Sequence, residues 1–100
     1  MSPPVLRKEG SEPLTYRFVP EKLSYRIGRG KGNDLELHDK KVSQRHAEIV
    51  VSNGIFYIND LGSRNGTYVN DNKITPDCPP LKDKDRIRIG LTNLTFHLNG

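Results

Sequence analysis

The sequence predicts an all-β chain built as a two-sheet sandwich or a small barrel. Apolar residues recur with period two from Leu14 onward, and Gly, Pro, Asn and Asp bound each short run. No window long enough for a helix combines helical spacing with caps.

Residues 1–13 hold Pro3, Pro4 and the charged side chains of Arg7, Lys8, Glu9 and Glu12 without a pattern. They read as a flexible N-terminal tail, and the folded domain is expected over residues 14–98. Leu14, Tyr16 and Phe18 alternate, followed by Leu23, Tyr25 and Ile27, then Leu35 and Leu37. Ala47, Ile49 and Val51 share one face of a strand, and Phe56 and Ile58 do the same on the next. Between those two runs, Asn53-Gly54 predicts a type I′ hairpin, because both residues accept positive φ. Tyr68, Ile87 with Ile89, and Leu94, Phe96 and Leu98 complete the series. Pro76-Asp77-Cys78-Pro79-Pro80 reads as a stiff surface loop, since proline donates nothing to a sheet ladder. Many short strands separated by turn signals are the pattern of sandwiches and small barrels.

Composition narrows the function. The chain has 100 residues, 33% of them hydrophobic and 28% charged, with 16 Lys and Arg against 12 Asp and Glu. That suits one small domain with a modest core. No apolar run approaches the length of a membrane span, and the first fifteen residues hold no apolar signal-peptide core. Cys78 stands alone, which excludes an internal disulfide or a Cys-based metal site and fits an intracellular location. His38, His46 and His97 have no metal-ligand spacing, so no metal and no cofactor is expected.

The charge is concentrated. Residues 28–34, 38–46 and 60–66 carry six basic and three acidic side chains, a net +3 out of the chain's +4. The same loops hold Gly28-Arg29-Gly30-Lys31-Gly32, Ser43-Gln44-Arg45-His46 and Gly62-Ser63-Arg64-Asn65-Gly66. A phosphomonoester carries about −1.5 to −2 charge and three strong acceptor oxygens. It is matched by a guanidinium fork, a hydroxyl and free backbone N–H groups. Arg29, Ser43 and the glycine-rich first loop supply those three kinds of donor.

Gly28-Arg29, then Ser43-Gln44-Arg45-His46, then Asp60-Leu61-Gly62-Ser63-Arg64-Asn65-Gly66-Thr67 and Val69-Asn70 together resemble the signature of the forkhead-associated (FHA) domain. Order and spacing match over roughly residues 14–98. The resemblance implies an eleven-stranded β-sandwich whose loops at one end bind a phosphothreonine peptide. It implies that Arg29 and Ser43 hold the phosphate, with Gln44 or Arg45 assisting. Asn65 is implied to bind the peptide main chain, and its plainer alternative is the first residue of a type I′ Asn-Gly turn. Lys41, Arg64 and Ser63 flank the groove, and the two cations predict a preference for an acidic residue after the phosphothreonine. Gly28, His46 and Gly66 are implied to support the site structurally. The plainer alternatives for Arg29 and Ser43 are a solvated loop arginine and a turn serine bonding its own backbone.

Two departures stand out. Gln44 occupies a position where the family commonly has Arg, Lys or Asn, and it brings no charge. Arg45 would share a face with Ser43 in extended chain, where it either compensates or points into solvent. Lys84-Asp85 stands where Gly-Asp is frequent, which affects a turn and not the site.

Rival functions are weaker on the same residues. Ser43 and His46 lie three apart, but no third partner completes a nucleophilic site. The glycine-rich loop lacks the Gly-Lys-Ser/Thr ending of a P-loop and precedes no helix. The chain is therefore not read as an enzyme. A pI near 9.4 keeps nucleic-acid binding as an alternative, although the aromatic residues fit strand interiors rather than a stacking platform. A sandwich that binds protein through a sheet face, without phosphate, is the other alternative. The favoured expectation is a phosphothreonine-dependent interaction module of a signalling protein, monomeric as an isolated domain.

Overall fold

The computed structural model describes residues 3–10 and 13–100. Period-two alternation produces strands β1 (Val5–Lys8), β2 (Leu14–Arg17), β3 (Ser24–Gly28), β4 (Leu35–Glu36) and β5 (Ala47–Ser52). Strands β6 (Ile55–Asp60), β7 (Thr67–Val69), β8 (Asn72–Lys73), β9 (Arg86–Ile89) and β10 (Thr92–His97) follow. They form two layers: a six-stranded sheet ordered β2-β1-β10-β9-β7-β8 and a four-stranded sheet ordered β4-β3-β5-β6. The expected sandwich is thus observed, with ten strands among the described residues.

The alternation sets which face is buried. Tyr25, Ile27, Ile49 and Ile58 from the smaller sheet meet Leu6, Ile87, Ile89, Leu94 and Phe96 from the larger one. Phe18 sits between the layers, 4.7 Å from the Tyr25 ring and 5.1 Å from Phe56. Edge-to-face and tilted rings of this kind add to simple area burial. The buried Tyr25 hydroxyl is satisfied locally: it donates to the Val19 carbonyl at 2.9 Å and accepts the Val19 N–H at 3.0 Å. Between β5 and β6, Asn53 (φ 52°) and Gly54 (φ 76°) both take the left-handed conformation that the type I′ hairpin requires.

Part of the segment expected to be a flexible tail is a strand. β1 pairs with β10 on one side and β2 on the other, with Val5 opposite His97 and Arg17. Val5 and Leu6 are fully buried. Two adjacent apolar residues between prolines and charges show no periodicity, yet ladders on both sides and burial of Leu6 in the core fix them. Met1, Ser2, Ser11 and Glu12, also in that segment, lie outside the described residues. Three leucines expected in strand interiors are instead exposed: Leu14 on the edge strand β2, Leu23 before β3 and Leu98 after β10.

Lys84 adopts φ 69°, left-handed for a side-chain-bearing residue. The turn before β9 is one that glycine fits without strain, which accounts for the Gly-Asp common at this place in sequences that this chain resembles.

Candidate functional site

β3 ends, β5 and β7 begin, and β9 turns into β10 at the same end of the sandwich. This brings the three chemically unusual loops together. Backbone hydrogen bonds join the first loop to the second, and side-chain hydrogen bonds tie in the third.

His46 is the hub. It is fully buried, and its ring spans two loops. Nδ1 accepts the Ser43 backbone N–H at 3.0 Å, which leaves Nε2 to donate to the Gly66 carbonyl at 2.8 Å. That pairing fixes the tautomer with the proton on Nε2. The His46 backbone also bonds Ile27 and Leu61, so one residue ties the ends of β3, β5 and β6.

Asp60 organises the third loop. Its carboxylate accepts the N–H groups of Gly62 (3.0 Å) and Ser63 (2.9 Å), the Ser63 hydroxyl and the Thr67 hydroxyl (2.7 Å). Ser63 Oγ in turn accepts the Gly66 N–H at 2.9 Å. Burial pushes the Asp60 carboxyl up, but hydrogen bonds from Ser63 and Thr67 outweigh it and hold the group below the ordinary carboxylate range. Asp39 does the same for the second loop. It accepts the Lys41 N–H (2.9 Å), the Leu91 N–H (2.8 Å) and the Thr92 hydroxyl (2.7 Å), fastening this loop to the β9–β10 turn. Its carboxyl is likewise lowered, because these bonds overcome desolvation.

This scaffold carries the predicted residues. Arg29 is exposed, yet its Nε donates to the Val42 carbonyl at 3.0 Å and its backbone N–H to Ser43 at 2.9 Å. The guanidinium is therefore held by one edge while both terminal nitrogens remain for a ligand. Ser43 Oγ accepts the Arg64 N–H at 3.0 Å, which leaves the hydroxyl proton to donate. Asn65 Nδ2 donates to the Lys41 carbonyl at 2.9 Å, so its Oδ1 is left as an acceptor.

Gly28 and Gly66 act through different physics. A Cβ on Gly28 would run into the Gln44 carbonyl oxygen and the Asn33 amide, so the loops can approach only with no side chain there. Gly66 has φ 83°, which favours glycine. The preceding Asn65 does not take positive φ, so Asn65-Gly66 is not the type I′ turn that the dipeptide suggests.

Gln44 and Arg45 lie against the first loop. The Gln44 backbone carbonyl accepts from Gly30 N–H and Asn33 Nδ2, and its side-chain amide lies against Gly30. Arg45 lines a pocket of about 160 Å³ with Arg26, Lys31, Asn33 and Gln44, which neither Arg29 nor Ser43 lines. The alternation invoked to put Arg45 beside Ser43 does not operate, because the chain is bent from Ser43 to His46 and β5 begins only at Ala47.

Sequence reading missed the supports: Asp39, Asp60, Thr67 and Asn33. Asp60 was signalled by Asp-x-Gly-Ser, the pattern of a carboxylate capping its own turn. Asn33 carries no such signal, since it bonds Gly30 and Gln44 across the loop pair. Among the described residues no three His, Cys, Asp or Glu side chains gather to hold a metal ion. Among the same residues no helix is long and apolar enough to cross a membrane.

Comparison with known proteins agrees with this geometry. The family model of the FHA domain matches residues 25–90. The glycogen accumulation regulator GarA of Mycolicibacterium smegmatis is 39% identical over 80 residues, covering 80% of this chain and 49% of that protein. The oxoglutarate dehydrogenase inhibitor of Corynebacterium glutamicum is 38% identical over 80 residues, covering 80% of this chain and 54% of the relative. This chain thus spans about half the length of the curated relatives it matches. Among solved structures, an FHA domain studied for phosphothreonine-dependent interactions superposes with a TM-score of 0.87 at 31% identity, covering 97% of both chains. EmbR of Mycobacterium tuberculosis, in complex with a low affinity phosphopeptide, gives a TM-score of 0.84 at 32% identity, covering 99% of this chain and 25% of EmbR. The chain belongs to the FHA domain family.

Proposed function

We propose that this chain is a non-catalytic module that binds phosphothreonine peptides and recruits phosphorylated partners within the cell. The observation that carries the reading is the Arg29–Val42 and Ser43–Arg64 pair of hydrogen bonds. It holds a guanidinium fork and a hydroxyl donor on adjoining loops at one end of the sandwich. Such a pair matches the shape and charge of a phosphomonoester.

In this reading the terminal nitrogens of Arg29 and the Ser43 hydroxyl hold the phosphate. Gln44 and Arg45, exposed on the neighbouring rim, add secondary contacts by swinging inward. Asn65 Oδ1 accepts from the peptide main chain, and Lys41, Ser63 and Arg64 set the preference for flanking residues. Gly28, His46 and Gly66 hold the loops at the required spacing. A few charge-assisted bonds at ~1.5–3 kcal/mol each, less the ordering cost of a flexible peptide, correspond to roughly micromolar affinity. Binding at that strength is readily reversible.

Calorimetric titration with degenerate phosphothreonine, phosphoserine and unphosphorylated peptide pools tests the reading. Saturable binding of the phosphothreonine pool alone is expected. Equal binding of the unphosphorylated pool overturns it in favour of a phosphate-independent contact.

A further inference from the structure

Strand pairing assembles a second basic surface that the sequence disperses. On the outer face of the six-stranded sheet, Lys73 stands opposite Tyr68, Tyr68 opposite Arg88, and Arg88 opposite Asn93. One step along the strands, Arg86, Thr95, Arg7 and Thr15 form a parallel row. Arg17 begins a third, next to Val5. Directly opposed residues share a face, so five exposed cations from four strands lie on one face of the sheet. Arg88 is stacked 4.2 Å above the Tyr68 ring, which stiffens it. Among the described residues, two carboxylates reach this surface: Glu9, on the Thr95 hydroxyl, and Asp71, 3.6 Å from Arg86. Positive charge is left in excess, and the intervening Thr15, Thr95 and Asn93 are hydrogen-bonding groups.

This surface is continuous with the loop site. The Lys73 side chain packs over Gly66, with its Cε 2.9 Å from where a Cβ on Gly66 would sit, and Gly66 follows Asn65 directly. The first basic row therefore starts at the rim of the phosphopeptide groove and leads away from it across the sheet.

We propose that this face binds an acidic segment of the same partner polypeptide whose phosphothreonine occupies the loop site. The inference rests on the function proposed above. Charge complementarity and continuity with the groove select the occupant. The Tyr68 ring is covered by Arg88, so the face offers no aromatic platform for bases. Strands lie ~4.8 Å apart, so β7 to β2, four ladder steps away, is about 19 Å, and an extended peptide covers that in roughly six residues. An acidic run of about six to eight residues next to the phosphothreonine reaches every cation on the face.

The test uses the degenerate phosphothreonine pool in four forms: unextended, with eight Glu residues after it, with eight Glu residues before it, and with a neutral Gly-Ser extension. Each is titrated at low and high salt against the chain and against Arg7→Gln/Arg86→Gln/Arg88→Gln, whose melting temperature is checked. One acidic extension is expected to tighten binding about tenfold at low salt, and the gain should vanish at high salt. The gain should also vanish in the triple variant, while the unextended pool keeps its affinity. No gain from either acidic extension overturns the proposal, as does a gain that survives the triple variant. A random-sequence duplex that binds the chain but not the triple variant, with no gain from Glu, assigns the face to nucleic acid instead. Failure of the unextended pool to bind is a different result: it overturns the phosphopeptide function itself, and this inference with it.

Discussion

The Ser43 hydroxyl accepts the Arg64 amide proton at 3.0 Å, joining loops that are 21 residues apart in sequence. A hydroxyl used as acceptor still has its proton to give, so the same oxygen can tether the third loop and donate to a phosphate. Ser43→Ala removes both bonds. A hydrogen bond to a charged group contributes ~1.5–3 kcal/mol, so phosphopeptide affinity should fall about 10- to 100-fold. Calorimetry with the phosphothreonine pool checks this, and unchanged affinity would show that Ser43 only shapes the turn.

His46→Ala should act on the fold before it acts on the ligand. The substitution leaves the Ser43 N–H and the Gly66 carbonyl without their partner, and both bonds are shielded by a fully buried ring. Each such loss costs ~1–3 kcal/mol, and a cavity adds to it. For a domain of this size ~1 kcal/mol corresponds to about 4–8 °C. A drop in melting temperature of about 10 °C or more, together with weaker binding, is expected. An unchanged melting temperature would contradict the structural role.

Asp60 and Asp39 make stability fall on acidification. Both carboxyls are held below their ordinary range in the folded chain, because the hydrogen bonds they accept outweigh desolvation. A depressed folded value means that the stabilisation is fully present above the unfolded carboxylate range. It is lost as pH falls through the folded value. Melting temperature should therefore be flat near neutrality and decline below about pH 4. Asp60→Asn should lower stability at neutral pH and flatten part of that decline, because an amide cannot accept four bonds. Parallel melting curves for the two proteins at every pH would rule out Asp60 as a source of the acid sensitivity.

Gly28→Ala is expected to disturb the site without removing any ligand-binding side chain. The new methyl meets the Gln44 carbonyl, which is backbone and cannot rotate away. The first two loops must separate, which breaks the Arg29–Ser43 and Gly30–Gln44 backbone bonds. Amide exchange should quicken at Arg29 and Gly30 while Ile49 and Phe96 in the core stay protected. Unaltered protection at Arg29 would mean that the loops tolerate the methyl.

Much of the sandwich was legible because period-two alternation is a direct record of burial. Tyr25 and Ile27, or Ile87 and Ile89, each declare a buried face within a few residues. β1 was hidden for the same reason: Val5 and Leu6 are adjacent, so alternation says nothing, and both their partner strands are supplied by pairing. The β7–β8 hairpin was equally silent, since Asn70 and Asp71 take positive φ (49° and 70°) without a glycine to announce it. In the site, Arg29, Ser43 and Asn65 were singled out by the resemblance. Placing Arg45 on one face with Ser43 applied strand geometry to a segment that bends before β5 begins. Asp39, Asn33 and the basic sheet face depend on contacts between distant segments, which no local pattern records.

The most direct test of the central claim is titration of Arg29→Ala with the phosphothreonine pool, beside a melting curve of the same variant. Arg29 is exposed and its Nε bond to Val42 is only partly buried. The account therefore predicts that binding is lost to below detection while the melting temperature moves by no more than a few degrees. Retained phosphothreonine binding in a folded Arg29→Ala chain would contradict it.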